Sequence, residues 1–363
     1  MKYKLSEIAL FNPTESLKKG TLAKKVGMDK LQSFCRDIPD YEIAEFSGGM
    51  KFRNGDTIMA RITPCLENGK TAKVNILDTE EVGFGSTEYI VFRAIDGVTD
   101  EDYLYYLVCS PIVRDIAIKS MVGSSGRQRV QTDVVKGIEV ELPTLDEQRK
   151  IGSLLKILDD KIAVNNEINE NLEQQAQAIY CDMFITNANP SWQLGRLSDL
   201  IAVRYGKNHK KLADGIYPVY GSGGIMRYAE KPLYDKESVL IPRKGTLNNV
   251  MYVNKPFWSV DTMFFTEMKL PNVAKFVFHF VKSKDLASLN AGSAVPSMTT
   301  DILNAMELSI PDANTLYKFE NIVAPMYQAM QQNTQQSSKL AELRDSLLPR
   351  LMSGEIDVTD IQI

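Results

Sequence analysis

Apolar residues recur in steps of four and three along two stretches of this chain, roughly Pro143 to Phe184 and Pro311 to Leu351. With Pro143 set on Pro311, the two stretches align without a gap, 168 residues apart. Ile151 then falls on Phe319, Leu158 on Met326, Asn165 on Asn333, Leu172 on Leu340 and Ile179 on Leu347, at seven-residue intervals. The companion positions Leu155, Ile162 and Met183 fall on Val323, Met330 and Leu351. A 4-3 spacing over about five heptads predicts two long helices that pair along a coiled-coil seam. About 40 residues at roughly 1.5 Å each give a rod of roughly 60 Å. Asn165 and Asn333 are seam positions near mid-rod. If the rods pack antiparallel, these two meet near the middle, and a buried Asn there fixes register while lowering stability. The alternative is that both are solvated breaks in the stripe. Asp146 and Asp312 are expected to cap the helices or to strengthen their N-termini. Pro325 and Pro349 are expected to kink or interrupt the second rod.

The remaining segments also echo each other. Leu5-Ser6-Glu7 matches Leu197-Ser198-Asp199, and Thr57 to Arg61 resembles Val239 to Arg243. Ser47 to Met50 resembles Ser222 to Ile225, Glu88 to Phe92 resembles Asp261 to Phe265, and Tyr103 to Ser110 matches Phe276 to Ser283. The offset drifts from 192 to 168 along the chain, so insertions and deletions lie in the globular heads and none in the rods. The order is head (1–142), central helix (143–188), head (189–310), and C-terminal helix with tail (311–363). Each head carries short β-branched and aromatic runs bounded by Gly, Asn and Asp, together with one or two helices. The expected class is α+β: two mixed α/β globular domains joined by two long helices in an antiparallel coiled coil, with a pseudo-twofold internal repeat. Heads that vary on rods that do not suit interchangeable readers on a common frame.

Composition narrows the class. At 363 residues, 44% hydrophobic and 24% charged, the chain is ordinary for a globular protein. No apolar run of membrane-spanning length occurs, and the N-terminus has no apolar core of a signal peptide, so the expectation is a cytoplasmic protein without membrane contact. Cys35, Cys65, Cys109 and Cys181 are scattered, as for reduced thiols. Two histidines, His209 and His279, exclude a His-rich metal site. The net charge of −4 argues against nucleic acid until its placement is considered. Residues 144–184 hold eight acids and four bases, whereas residues 51–75 hold five bases and two acids, and 204–211 hold four bases and no acid. An acidic rod with locally basic heads suits a DNA binder whose rod touches protein. On charge alone, solvated faces are an equal reading.

No catalytic constellation is present. There is no GxxxxGK[ST] phosphate loop, and no Gly-rich strand–helix turn for a dinucleotide or S-adenosylmethionine. Gly221-Ser222-Gly223-Gly224 reads as a turn, and Asp159-Asp160 as a solvated rod face. The loops carry the chemistry. Arg204 to Lys211 joins Lys207, Asn208, His209, Lys210 and Lys211 to one aromatic residue. Gly123 to Gln131 presents Arg127, Gln128 and Arg129 on a Gly/Ser support, and its counterpart Gly292 to Thr300 has no base. Arg61 and the pair Arg243 and Lys244 end matched strands. Lys and Arg neutralise phosphates, while Arg, Asn and Gln read base edges through paired hydrogen bonds. These are the candidate DNA contacts. Any one basic loop by itself reads more readily as solvated surface, and recurrence at corresponding places is what tips the balance toward DNA. The rival is a coiled-coil scaffold whose heads bind protein without sequence-specific DNA binding.

Three sets of residues carry a family likeness. They are the stretch Leu142 to Phe184, the ending Leu343 to Val358 (LRDSLLPRLMSGEIDV), and the head segments Tyr217 to Gly224 (YPVYGSGG), Ser238 to Thr246 (SVLIPRKGT) and Phe257 to Thr262 (FWSVDT). With these the chain resembles the specificity subunit of type I restriction-modification enzymes over essentially its whole length. The resemblance implies a non-catalytic subunit in which each head, a target recognition domain, reads one half of a split, asymmetric site in double-stranded DNA. It implies that the helix pair sets the spacing, that adenine methyltransferase subunits grip it, and that motor-nuclease subunits join for cleavage. S-adenosylmethionine, ATP and Mg would belong to those partners, with no cofactor in this chain. The seam positions would form the intramolecular rod, and Glu147, Gln148, Glu173 and Arg344 would face outward toward the methyltransferase.

Overall fold

The structure, a computed structural model, describes residues 2–124, 126–289 and 297–361. The chain forms two compact units: Met1–Glu167 with Asn333–Ile363 (unit 1), and Ile168–Gln332 (unit 2).

Unit 1 is built on a four-stranded sheet with spatial order Ala9–Phe11, Tyr89–Ala94, Thr57–Ala60, Thr71–Lys73. Its central strand, Thr57–Ala60, is buried at every position, as a strand covered on both faces must be. Alternate side chains go to opposite layers. Met59, Ile90 and Phe92 join the cluster containing the helix Glu101–Cys109, while Ile58 and Val91 join Val26 and Phe52 from a second sheet. That second sheet runs Glu42–Glu45, Leu22–Val26, Gly83–Gly85, Met50–Phe52.

Unit 2 repeats this plan. Its four-stranded sheet has order Ile201–Tyr205, Met263–Met268, Ser238–Pro242, Met251–Val253, with Ser238–Pro242 buried throughout. Val239 and Ile241 face the helix Ala274–Lys282, and Leu240 faces Val219 and Trp258 of a second sheet. Each unit carries a four-residue helix, Leu5–Ile8 or Leu197–Leu200, capped alike: the Lys4 amide donates to Glu7 Oε2 (2.7 Å) and the Arg196 amide to Asp199 Oδ2 (2.7 Å).

Strand register refines two of the sequence matches. Ala60 pairs with Tyr89, and Pro242 with Met263. Glu88 therefore corresponds to Thr262, not to Asp261, one residue away from the sequence match. Ser47 to Met50 leads from Glu42–Glu45 into Met50–Phe52, whereas Gly221 to Gly224 turns the hairpin between Asp214–Gly221 and Gly224–Ala229. These two glycine turns join different strands, so their likeness is chemical and not positional.

The long helices run Leu145–Cys181, continued by a π turn Asp182–Thr186, and Ala313–Met352. Pro325 and Pro349 do not interrupt the second helix. Both lie on its exposed face, and so do Asn321 and Asp345, whose carbonyls lose their donor there and remain open to water. Asp312 caps this helix: its carboxylate accepts from the Asn314 and Thr315 amides (both 3.0 Å), and these bonds hold its pKa down at about 2. The first helix is capped by Thr144 with Glu147 instead, and Asp146 sits in the first turn, where its charge favours the helix N-terminus.

Within each unit the two helices pack antiparallel. In unit 1, Asn165 is fully buried; its Nδ2 donates to Gln336 Oε1 (2.9 Å) and reaches the Asn333 carbonyl (3.4 Å). The two mid-seam asparagines meet, as antiparallel packing requires. In unit 2, Asn169 Nδ2 donates to the Met330 carbonyl (3.3 Å). Ile151 and Phe319 are buried, while Leu158, Leu172, Ile179, Met326, Asn333, Leu340 and Leu347 are half-buried, because a two-helix seam leaves one edge open. Among the apolar seam positions, full burial comes only where helix ends enter a head. Ile151, Leu155, Leu348 and Leu351 join the unit 1 core, and Ala176, Tyr180, Phe319 and Val323 join the unit 2 core.

Three expectations about the rod faces are corrected. Asp159 is not solvated: it is 4% exposed, accepts from Arg344 Nη1 at 2.6 Å, and accepts from Tyr106 Oη at 2.7 Å. Arg344 itself is buried and does not face outward. Gln148 is also buried, donating to the Val98 and Pro143 carbonyls and accepting from the Asp100 amide. Each sits where a helix crosses head backbone or its partner helix, a place that heptad position alone does not reveal.

Candidate nucleic-acid interface

In both units an arginine follows the central strand of the four-stranded sheet, and its backbone is held in the same way. The Arg61 amide donates to the Glu88 carbonyl (2.9 Å), and its own carbonyl accepts from Val130 (2.8 Å). The Arg243 amide donates to the Thr262 carbonyl (2.9 Å), and its carbonyl accepts from Met298 (2.9 Å). Isolated bridges Ile62–Arg129 and Lys244–Ser297 complete the equivalence. The sheet thus delivers one arginine per unit to the end of its central strand, beside the segment that carries Val130 in unit 1 and Met298 in unit 2.

The surroundings of the two arginines differ. In unit 1, Glu88 takes both Arg61 Nε (3.1 Å) and Arg129, whose Nε (3.0 Å) and Nη2 (2.7 Å) form a fork on the carboxylate. Hydrogen bonding from Arg129, and then from Arg61, outweighs partial desolvation and holds the Glu88 carboxyl below the usual range, so it stays ionised. One negative charge faces two positive ones, which leaves a local excess of one. Gln128 is fastened by its carbonyl to the Thr63 amide (3.0 Å), and Arg127 is exposed next to it. Arg61, Arg127, Gln128 and Arg129 are therefore brought together, although Arg61 and Arg129 are engaged by a carboxylate and are not bare cations.

In unit 2, Arg243 lies over the Tyr205 ring at 5.3 Å and donates to the Asp261 carbonyl (3.3 Å). Tyr205 is 53% exposed and leads directly into the basic loop. The base of that loop is pinned: Lys207 donates its amide to Ser259 (2.8 Å), and Trp258 Nε1 donates to the Lys207 carbonyl (2.8 Å). Asn208 Oδ1 accepts from the Lys210 amide (2.8 Å) in a tight turn. His209 is half-buried, and Lys207, Lys210 and Lys211 are exposed with no carboxylate partner among the described residues. Asn249 Nδ2 donates to the Ser222 carbonyl (2.7 Å), which ties the glycine hairpin to the segment after Lys244. Arg204, by contrast, pairs with Glu267 (2.9 Å). The counterpart of the unit 1 Arg loop, Gly292 to Thr300, lies outside the described residues up to position 296.

The sequence marks neither Glu88 nor Thr262 as part of this site, whereas Tyr205 stands in it as the one aromatic residue of the basic loop. Glu88 stood in a run singled out as a repeat, but nothing local marked it as the partner of two arginines 27 and 41 residues away. Among the described residues no cluster of His, Cys, Asp and Glu could hold a metal ion, and no helix is long and apolar enough to cross a membrane.

Two exposed, donor-rich loop ends on repeated sheets are the chemistry of a polar, polyanionic ligand. Residues 1–174 and again 189–337 match the family model of the type I restriction modification DNA specificity domain. The chain belongs to this family. It is 24% identical over 310 residues to the type I restriction enzyme MjaIX specificity subunit of Methanocaldococcus jannaschii, covering 73% of this chain and 71% of that one. It is 21% identical over 416 residues to the HindI specificity subunit of Haemophilus influenzae, covering 84% and 87%. In fold it resembles the crystal structure of the type I restriction-modification S subunit from M. genitalium, with TM-score 0.56 and 16% identity over 97% and 96% of the two chains. As a specificity chain with two DNA specificity domains, it recognises DNA sequence and is not itself an enzyme.

Proposed function

We propose that each unit reads one half of a bipartite, asymmetric site in double-stranded DNA, and that the paired long helices set the number of base pairs between the halves. The observation that carries this reading is the repeat itself: two specificity domains, each ending its central strand in an arginine set among loop donors. Two weak half-site contacts held at one distance act as a single strong one, because the second binding step becomes intramolecular. Methyltransferase subunits modifying adenine dock on the helices, and motor-nuclease subunits join them for cleavage. Ile157 and Val164, seven residues apart and 54% and 45% exposed on the unit 1 stretch of the first helix, support an apolar docking stripe there. S-adenosylmethionine, ATP and Mg act in those partners.

Sequencing of adenine methylation in cells making this chain with its cognate methyltransferase subunit tests the reading. The expected result is a split motif, lost without this chain and altered in one half when one head is exchanged. A motif indifferent to this chain defeats the reading and favours the protein-binding scaffold. A second expectation concerns the basic loop. Replacing Lys207, Lys210 and Lys211 with Ala lowers the slope of log affinity against log salt by roughly 0.9 for each phosphate no longer neutralised, up to about 3 in all. Titration of duplex binding at several salt concentrations measures it, and an unchanged slope removes this loop from the interface.

A further inference from the structure

We propose that Arg61 reads a base edge in the half-site bound by unit 1, and that Glu88 positions it while sharing its carboxylate with Arg129. This rests on the half-site reading above. An arginine that specifies a base presents two donors in a fixed fork, most often to guanine O6 and N7. A free arginine on a surface samples many rotamers, and ordering it on binding cancels part of the gain. Arg61 is spared much of that ordering. Its backbone is bonded on both sides, to Glu88 and Val130. Its Nε alone is spent on Glu88, so both terminal nitrogens, four N–H donors, remain for a ligand. The side chain is 34% exposed, enough to reach out, and Glu88 is only 21% exposed, enough to hold.

Arg129 plays the complementary part. Its Nε and Nη2 are both engaged on Glu88, and it occupies the loop strand bridged to Ile62. It keeps the carboxylate ionised and in place, and adds one positive charge to the face. The same node in unit 2 has Thr262 for Glu88 and Ser297 for Arg129, and there Arg243 is held by the Tyr205 ring and the Asp261 carbonyl. The two units thus orient a matched arginine by different means, a carboxylate in one and an aromatic face in the other. The two forks emerge in different surroundings, which is the condition for reading different half-sites from one frame.

The test uses the complex of this chain with its cognate methyltransferase subunit. The probes are labelled duplexes carrying its methylation motif and every single-base-pair variant of that motif. Arg61→Ala is expected to lose roughly 10- to 100-fold discrimination at one base pair of one half-site, with the other half untouched. Glu88→Ala removes a negative charge from the face. It is therefore expected to strengthen binding to unrelated DNA while discrimination at that same position falls, and Glu88→Asp is expected to restore part of the discrimination. A merely structural Glu88 would weaken binding to all duplexes together and lower the melting temperature. Uniform weakening across all sequences in Arg61→Ala makes Arg61 a phosphate contact, and full discrimination at every position removes it from the interface. Either result overturns the proposal while leaving the bipartite motif of the unaltered complex intact. Absence of any split motif in the unaltered complex would instead defeat the half-site reading itself.

Discussion

Arg344→Leu is expected to destabilise unit 1 by about 3–5 kcal/mol, the range for stripping one partner from a buried ion pair. Arg344 and Asp159 meet at 2.6 Å with side chains only 10% and 5% exposed, and each lies on a different long helix. Burial alone would lower the Arg344 pKa, but Asp159 and Asp345 raise it, so the guanidinium is charged in the folded state. Without it, the Asp159 carboxylate keeps the Tyr106 hydroxyl and loses the countercharge of Arg344 while remaining buried. In a unit of roughly 200 residues, each kcal/mol moves the melting temperature by about 2–4 °C, so a fall of roughly 6–20 °C is expected by calorimetry of the intact chain. The double substitution Asp159→Leu with Arg344→Leu is expected to recover most of that loss, since apolar replacements of buried ion pairs are often neutral or better. A single-variant loss below about 1 kcal/mol would mean that the pair is hydrated and that the helix contact rests on its apolar positions alone.

The second large effect is a pH dependence seated in unit 2. His279 has no exposed surface, and its ring links the two long helices. Its Nδ1 lies 2.7 Å from Gln177 Oε1 and its Nε2 2.9 Å from Tyr327 Oη. The Gln177 oxygen can only accept, so Nδ1 carries the proton and Nε2 accepts from the tyrosine. Burial, followed by the nearby Lys282 charge, lowers the His279 pKa from 6.5 to about 4. Between those two values the unfolded chain binds a proton that the folded chain refuses, so stability rises with pH across that window. The expected loss on acidification from about pH 6.5 to about pH 4 is roughly 3 kcal/mol. Both tryptophans, Trp192 and Trp258, lie in unit 2, so tryptophan fluorescence in urea reports on this unit. His279→Gln is expected to flatten the dependence between those pH values. An equally steep dependence in the variant would assign it to the carboxylates.

The heptad pattern was legible because each long helix keeps one stripe of neighbours over most of its length, and periodicity records such neighbours directly. The register asparagines followed from the same logic, and the Asn165 amide does reach the Asn333 carbonyl. What the pattern could not reveal was which non-seam residues a third element would cover. Asp159, Gln148 and Arg344 look like exposed charges and amides on a helical wheel. They are buried because Tyr106, the Val98 carbonyl and the partner helix lie over them. The prolines misled for the opposite reason: their positions face water, where a missing hydrogen bond is made good by solvent.

The candidate site divides along the same line. Loop composition located Lys207 to Lys211 and Arg127 to Arg129, since basic and amide side chains over Gly- and Ser-bearing backbone are a local property of the chain. The equivalence of Arg61 with Arg243 also appeared in the sequence, in strands whose apolar runs align. The shared role of Glu88 did not, because it depends on antiparallel register setting residue 88 beside 61 and a loop bridge bringing 129 to both. By itself, then, the sequence determined the architecture: two mixed α/β heads, two paired helices, and a specificity chain without catalytic machinery. Tertiary structure alone decided which charges are buried and which arginines are already held. Periodicity is written in near neighbours, whereas ion pairs are made between residues that only folding brings within reach.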